Sequence, residues 1–358
     1  MKVMYVISSL ERRGAEIFLA ELAGELEHLG VVQSLVSLAA AGPLPIELPD
    51  KVSVATPDSS RGRIRTIRKM LKTQRPELVV CLGSKALKYF VVSSVGSSIE
   101  VIYCKIGLTE PWLKRFKRLR IQVDRWFIGR ACKVVSLGDN STRELTGVFS
   151  VSMENVVHIR NGRRVTPSLH AERADGLLHL ACIGALNWEK NVGLVIELMH
   201  DLAPQFPQLR LDIVGDGPQR QELENRVVTL QIGDKVNFLG ASDDIPGVLA
   251  GTDLLVLASL SEGVPGVLIE AGMASVPVVT WQVGDVDEVV LDGKTGTIVP
   301  FAAHADLKRA LIVLLNDAHK RAVYGEAARQ YCVETFGMDT IALEYFNLFH
   351  AVTNNVQS

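Results

Sequence analysis

The sequence predicts an α/β protein built from two doubly wound domains, and three observations carry that prediction. Short apolar runs alternate with helical patterns along the chain, the alternation restarts after a polar stretch, and 358 residues suit two domains of roughly 150 residues each. In the first half the runs are VMYVIS, VVQSLVSL, ELVVCLG, EVIYCKI and KVVSLG, with AEIFLAELAGELEHLG as the first helical pattern between them. Near-continuous apolar runs separated by helices are the rhythm of βαβ units on a parallel sheet buried on both faces. The polar stretch from Thr166 to Gly176 interrupts this rhythm, and a second series follows: LLHLACIG, LRLDIVG, KVNFLG, DLLVLAS, VPVVT and TGTIVP. The predicted boundaries are 1–168 and 172–335. A last helix is expected from Asp339 to Val352, with apolar Ile341, Leu343, Tyr345, Phe346 and Phe349, and its own pattern lets it pack on either domain.

Bulk composition excludes several classes. The chain is 47% hydrophobic and 22% charged, enough for large cores and unlike a disordered chain. Its formal charge of -2 removes any whole-chain argument for nucleic acid, but the charge is divided. Residues 1–170 hold 26 basic and 15 acidic side chains, a net +11, and the remainder hold 12 and 25, a net -13. An anionic partner is therefore expected near the first half. The opening MKVMYVISS breaks at Ser8 and Ser9 and reads as a strand, not a signal peptide. No run approaches the roughly 18 apolar residues of a membrane span. Cys81, Cys104, Cys132, Cys182 and Cys332 are scattered, odd in number and without a C-x-x-C pair, which predicts reduced core thiols and a cytoplasmic protein.

In open α/β sheets ligands bind beyond the carboxyl ends of the strands, so the residues after each apolar run come next. DLLVLAS is followed by SEGVPGVLIEAGMA, where Gly263, Pro265 and Gly266 permit a tight turn and VLIEAGMA opens a helix. The N–H groups and dipole of such a helix start suit a phosphate. Glu262 stands in the turn and Glu270 about one turn into the helix, where a carboxylate can accept both hydroxyls of a ribose. Such glutamates are ordinarily solvated charges, but Glu270 lies in an otherwise apolar helix start and needs a partner. The loop ALNWEKN places Lys190 just before the apolar helix VGLVIELM. A cation there opposes the dipole unless an anion sits between, as at a diphosphate; the alternative is a flexible surface lysine. LRLDIVG runs into DGP, a Gly-rich turn at a third strand end. Together the three strand ends point to a nucleoside diphosphate.

These residues resemble the retaining nucleotide-sugar glycosyltransferases of GT-B architecture, specifically their large fourth family, the glycosyl transferases group 1. The matching pieces are Asn161–Gly162, the Lys190 loop, VGDGP at 214–218, FLG at 238–240, DDIPGVLAGTDLLVLASLSEGVPGVLIEAGMASVPVV, and QVGDVDEVV followed by DGKTGTIVP. The resemblance implies two Rossmann-like domains facing across a cleft, with the final helix, about 339–358, returned to the first. It implies transfer of a hexose from a UDP- or GDP-linked donor with retention, and neither a metal nor a cofactor. Glu262 and Lys190 would be the catalytic pair. Gly14, Lys190, Gly240, Gly263, Val264, Pro265, Gly266, Val267 and Glu270 would bind the donor, Lys190 at the diphosphate and Glu270 at the ribose.

The chain departs from the pattern in three places. Ala185 stands where the family usually has a diphosphate arginine, Arg13 replaces the first glycine of a G-G-A-E loop, and Ile106, beside Lys105, occupies the place of a histidine. The missing arginine and histidine keep open a non-catalytic nucleotide-sugar-binding partner subunit; within enzymes the alternative is a nucleotide-sugar epimerase of the same fold, against which the Glu262–Glu270 segment argues for transfer. A nicotinamide dehydrogenase needs G-x-G-x-x-G, which neither VGDGPQ nor SLERRGAE supplies.

Residues 61–75 and 112–126 carry most of the positive excess, and the second stretch interleaves Trp112, Leu113, Phe116, Leu119 and Trp126. Basic charge with aromatic anchors fits an anionic lipid surface, against the plainer reading of two helices with solvated basic faces. Arg13, Lys105, Trp112, Lys114, Arg115, Lys117 and Arg118 are expected on the acceptor or membrane face. The expectation is a glycan or lipid-linked acceptor in cell-surface polysaccharide assembly, at the inner face of the plasma membrane. The domain shows charge but no nucleic-acid recognition motif.

Overall fold

The computed structural model describes residues 1–39, 46–57, 59, 62–107, 117–167 and 176–355. The chain forms two compact units, one of residues 1–164 with 336–358 and the other of residues 165–335. The first unit runs β1 (Lys2–Ile7), α1 (Gly14–His28), β2 (Val32–Ser37), β3 (Ser53–Ala55), α2 (Gly62–Gln74), β4 (Leu78–Leu82), α3 (Ser84–Ser93), β5 (Glu100–Cys104), α4 (Lys117–Ile128), β6 (Lys133–Ser136), α5 (Asp139–Gly147) and β7 (Val156–His158). Its strands form one parallel sheet in the order β3-β2-β1-β4-β5-β6-β7.

Both faces of this sheet are covered, so its central strands do not alternate apolar with polar. In β1, Val3, Tyr5 and Ile7 enter one core while Met4 and Val6 enter the other, as the two-residue strand period requires. All five residues of β4 are buried. The edge strands β3 and β7 have three residues each and are half-buried or exposed, too short to register as apolar runs. Helix α1 buries Phe18, Leu19, Leu22, Ala23 and Leu26 at helical spacing.

The second unit runs β8 (Leu178–Ile183), α6 (Val192–Leu202), β9 (Leu209–Val214), α7 (Arg220–Thr229), β10 (Val236–Gly240), α8 (Ile245–Ala250), β11 (Leu254–Leu257), α9 (Gly266–Met273), β12 (Val278–Trp281), β13 (Gly296–Val299), α10 (His304–Asn316) and α11 (Ala318–Phe336). Its parallel sheet has the order β10-β9-β8-β11-β12-β13. The last helix, α12 (Met338–Asn355), lies in the first unit. It sends Met338, Ile341, Ala342, Tyr345, Phe349 and Val352 into the core shared with α1, where Phe18 and Tyr345 meet at a ring-centroid distance of 5.8 Å. Leu343, on the other side of the helix, is exposed.

All five cysteines are free thiols, with Cys132 half-buried and the other four buried. Burial pushes the thiols of Cys104, Cys182 and Cys332 up to about 12. No helix among the described residues is long and apolar enough to cross a membrane.

Candidate functional site

In the second sheet, β8 is flanked by β9 on one side and β11 on the other. The strand order reverses there, so the loops after β8 and β11 diverge and leave a crevice between their carboxyl ends, the usual ligand position in such a sheet. The loop after β8 ends in a 3₁₀ turn, Trp188–Lys190, whose start is capped by Asn187: its side chain accepts a hydrogen bond from Lys190 N at 3.1 Å. Asn191 then takes the left-handed conformation, φ 52°, and α6 begins behind it. Lys190 therefore stands at the end of a rigid turn, ahead of the helix.

The loop after β11 brings Glu262 to the same place. Lys190 Nζ donates to Glu262 Oε1 at 2.6 Å, with 26% of the lysine and 9% of the glutamate side chain exposed. The anion that the sequence reading required opposite this lysine is thus supplied by the chain itself. Sequence spacing could not reveal it, because 72 residues separate the partners.

Neighbouring loops hold this pair in position. Leu260 N donates to Glu189 O at 2.7 Å, and Asp285 N to Gly263 O at 3.0 Å. Trp281, fully buried at the end of β12, donates its indole N–H to Ser259 O. Gly284 approaches the turn so closely that a Cβ there would lie 2.2 Å from Glu262 O, and its φ is 56°. Neither the Asn187 cap nor the Gly284 contact was singled out from sequence. Asn three residues before Lys is a legible capping signal, whereas a close approach between two loops leaves no local trace.

Beyond Glu262, Val264 is buried and α9 opens at Gly266. Pro265, its N-cap, provides no side-chain acceptor. The helix start thus has the form that suits an anion. Glu270 is partly buried, between buried Ile269 and Ala271. Gly240 closes β10, its carbonyl accepting from Gly215 N at 2.7 Å. Ala185 sits in the loop after β8 with no charge to offer.

The residues expected in the first unit divide differently. Gly14 opens α1, and Arg13, its exposed N-cap, is ion-paired with Glu11. Glu16 is buried in the first turn of α1, where burial pushes its carboxyl up against the opposing effect of a hydrogen bond from Ser9. Lys105, expected on an exposed face, lies inside: only 5% of its side chain is exposed, and its ammonium meets Glu144 Oε2 at 2.9 Å and Gly107 O at 3.1 Å. A cation ending an apolar strand is satisfied inward when a carboxylate from another helix, here Glu144 on α5, reaches it. Lys117 and Arg118 begin α4. Trp112, Lys114 and Arg115 lie outside the described residues. Ile106, at the histidine position, is exposed.

Two units, each built on a parallel Rossmann-like sheet, have the architecture of the GT-B fold. Solved structures share the fold over nearly the whole chain. Anabaena Alr3699/HepE, determined in complex with UDP-glucose, is 20% identical with a TM-score of 0.83, covering 98% of this chain and all of that one. Sucrose-phosphate synthase from Thermosynechococcus elongatus is 17% identical with a TM-score of 0.87, covering 99% and 100%. In the second unit, residues 172–331 match the family model of the glycosyl transferases group 1. The N-acetyl-alpha-D-glucosaminyl L-malate synthase of Bacillus anthracis is 34% identical over 143 residues, 40% of this chain and 38% of that protein. The glycogen synthase of Mycobacterium tuberculosis is 27% identical over 224 residues, 62% of this chain and 54% of its own. The chain thus spans between about two fifths and just over half of these relatives' length.

Proposed function

We propose that this protein is a retaining glycosyltransferase that moves a hexose from a UDP- or GDP-linked donor to a glycan or lipid-linked acceptor in cell-surface polysaccharide assembly. The observation that carries this reading is the Lys190–Glu262 pair at the switch point of a group 1 domain. Support for the donor class comes from Alr3699/HepE, which was crystallised with UDP-glucose, and from a Mycolicibacterium smegmatis relative described as a GDP-mannose-dependent mannosyltransferase, 30% identical over 166 residues.

In this reading the acceptor hydroxyl oxygen bonds to the anomeric carbon on the face that the diphosphate leaves. The bond from that carbon to the diphosphate breaks with its electron pair going to the phosphate oxygen, which also takes the hydroxyl proton. A separate base is then unnecessary. An ammonium has three N–H donors, so Lys190 can hold Glu262 and still reach phosphate oxygens. Together with the first-turn N–H groups of α9 it stabilises the charge developing on the leaving group. Glu262 and the turn Gly263–Val267 contact the donor sugar and phosphates, Glu270 accepts from the ribose hydroxyls, and the backbone at Gly14 and Gly240 approaches the donor. The protein's own groups meet the diphosphate charge, so the reaction is proposed to need no metal or cofactor. Arg13, Lys117 and Arg118 are proposed for the acceptor side, at an anionic membrane surface on the cytoplasmic side. A second reading, a partner subunit that binds nucleotide sugar without turnover, is favoured by Ala185 and Ile106 alone.

Thermal unfolding with UDP, GDP and ADP tests the site. A diphosphate at a hundredfold over its dissociation constant adds about 2.7 kcal/mol. One of the three is expected to stabilise the wild type, with or without EDTA, and to fail on Glu270→Ala. Sugar transfer or donor hydrolysis with the matching nucleotide sugar then separates enzyme from partner subunit. Stabilisation by none of them would sink the proposal, and loss of activity in EDTA restored by magnesium would overturn metal independence.

A further inference from the structure

Among the largest fully buried side chains of the described residues, one is charged: Arg163, 2% exposed. Its guanidinium donates from Nη1 to Gly162 O at 2.8 Å and to Asn161 Oδ1 at 3.3 Å, and from Nη2 to Gly14 O at 3.4 Å. Its backbone is tied on both sides to the place where the chain re-enters the first unit, with Arg163 N donating to Phe336 O at 2.9 Å and Met338 N to Arg163 O at 3.0 Å. The next residue continues along α1, where Arg164 N donates to Glu21 Oε2 at 2.8 Å. Residues 161–164 therefore form a strap laid against the start of α12 and along α1, and Arg163 is its inward-pointing member.

Burying a guanidinium is unfavourable unless its N–H groups are bonded, and an apolar side chain of similar volume often fills such a place at no loss of stability. What an apolar side chain cannot supply is a planar array of donors aimed at backbone oxygens. The array here reaches Gly14, the first residue of α1. That residue ends the loop after β1, the strand that forms the switch point of the first sheet with β4.

We infer that Arg163 is a positioning residue: its guanidinium fixes the Arg13–Gly14 backbone against the Asn161–Gly162 strap, and so sets the loop that meets the nucleotide-sugar donor. This inference rests on the transferase reading, in which Gly14 touches the donor, and goes beyond it by assigning a residue that touches no substrate.

The test compares Arg163→Met and Arg163→Lys with wild type by hydrogen exchange, thermal unfolding and steady-state kinetics with the donor that stabilises the wild type. Arg163→Met is expected to keep the unfolding temperature, to exchange faster at the amides of residues 14–17 only, and to raise the donor KM about tenfold with kcat nearly unchanged. Arg163→Lys, which keeps a donor but not the fork, is expected to recover part of that KM. A native KM in Arg163→Met overturns the inference. So does faster exchange throughout the first unit, or failure of both variants to fold, since either marks a purely structural arginine. If the wild type turns over no donor, the transferase reading has failed by itself, and the exchange at residues 14–17 still decides whether Arg163 fixes the turn.

Discussion

Lys190 and Glu262 show how a local sequence argument can ask for a counter-charge without locating it. The lysine stood out because a cation at a helix entrance calls for an anion, and the structure answers with a carboxylate from another loop. Lys105 shows the converse, since charge next to an apolar strand reads equally well as exposed or as paired inside, and Glu144 decides for the inside. Glu16 offers a prediction of the same kind. Burial raises its carboxyl pKa above that of the unfolded chain, so the folded state holds its proton more tightly. Stability is then greatest below the unfolded pKa, declines as pH rises through the window up to the raised value, and stays at the lower level above it. Glu16→Gln removes the ionisation, and its amide oxygen still accepts from Ser9 Oγ. The variant is expected to unfold on the order of 2 °C above wild type at pH 7, with the gap closing toward pH 4. Calorimetry at the two pH values checks this, and an equal gap at both would show that ionisation is not the cause.

At the level of elements, strands buried on both faces announced themselves as apolar runs, and all six strands of the second unit coincide with runs read from sequence. What escaped was local in another sense. Strands β3 and β7 are edges of three residues each, paired on one side and only partly buried. The 3₁₀ turn at Lys190 rests on a single Asn cap. Arg163 in NGRR looks like any surface arginine, because Gly14 and the returning segment at 336–338, which it bonds, are both far away in sequence. Loop against loop is the contact sequence conveys least, and Gly284 makes it testable. Gly284→Ala must push the Glu262–Gly263 turn aside, for about 1–3 kcal/mol of destabilisation of the overpacking kind, and should weaken diphosphate binding about tenfold. Gly293→Ala is the control, since Gly293 has a similar φ of 72° and nothing within 4 Å of the added Cβ. Urea unfolding and nucleotide titration of the two variants should show destabilisation in both and lost affinity only in Gly284→Ala; equal affinities would mean that the turn is not held from behind.

Across the whole molecule, charge is distributed by halves, with a net +11 over residues 1–170 and -13 over the rest. A uniform mixture would have no preferred side toward a charged surface, but this division gives the first half attraction and the second half repulsion at an anionic bilayer. The structure adds apolar anchors to the basic side. On α4, Leu119, Val123 and Trp126 are exposed to 65%, 41% and 53%, at spacings that place them along one helix face. The guanidinium of Arg130 lies 4.4 Å from the Trp126 ring. Anionic headgroups contribute about 1 kcal/mol per basic residue close to the surface and the attraction fades within a Debye length. The protein is therefore expected to sediment with phosphatidylglycerol vesicles at low salt, to be released in about 0.5 M salt where screening is nearly complete, and to ignore phosphatidylcholine vesicles. Leu119→Glu and Trp126→Glu should each weaken binding without changing the response to nucleotide, because both side chains lie exposed on α4 and neither belongs to the proposed donor site. No sedimentation at low salt would leave the basic helices as ordinary solvated faces and move the acceptor toward a soluble glycan.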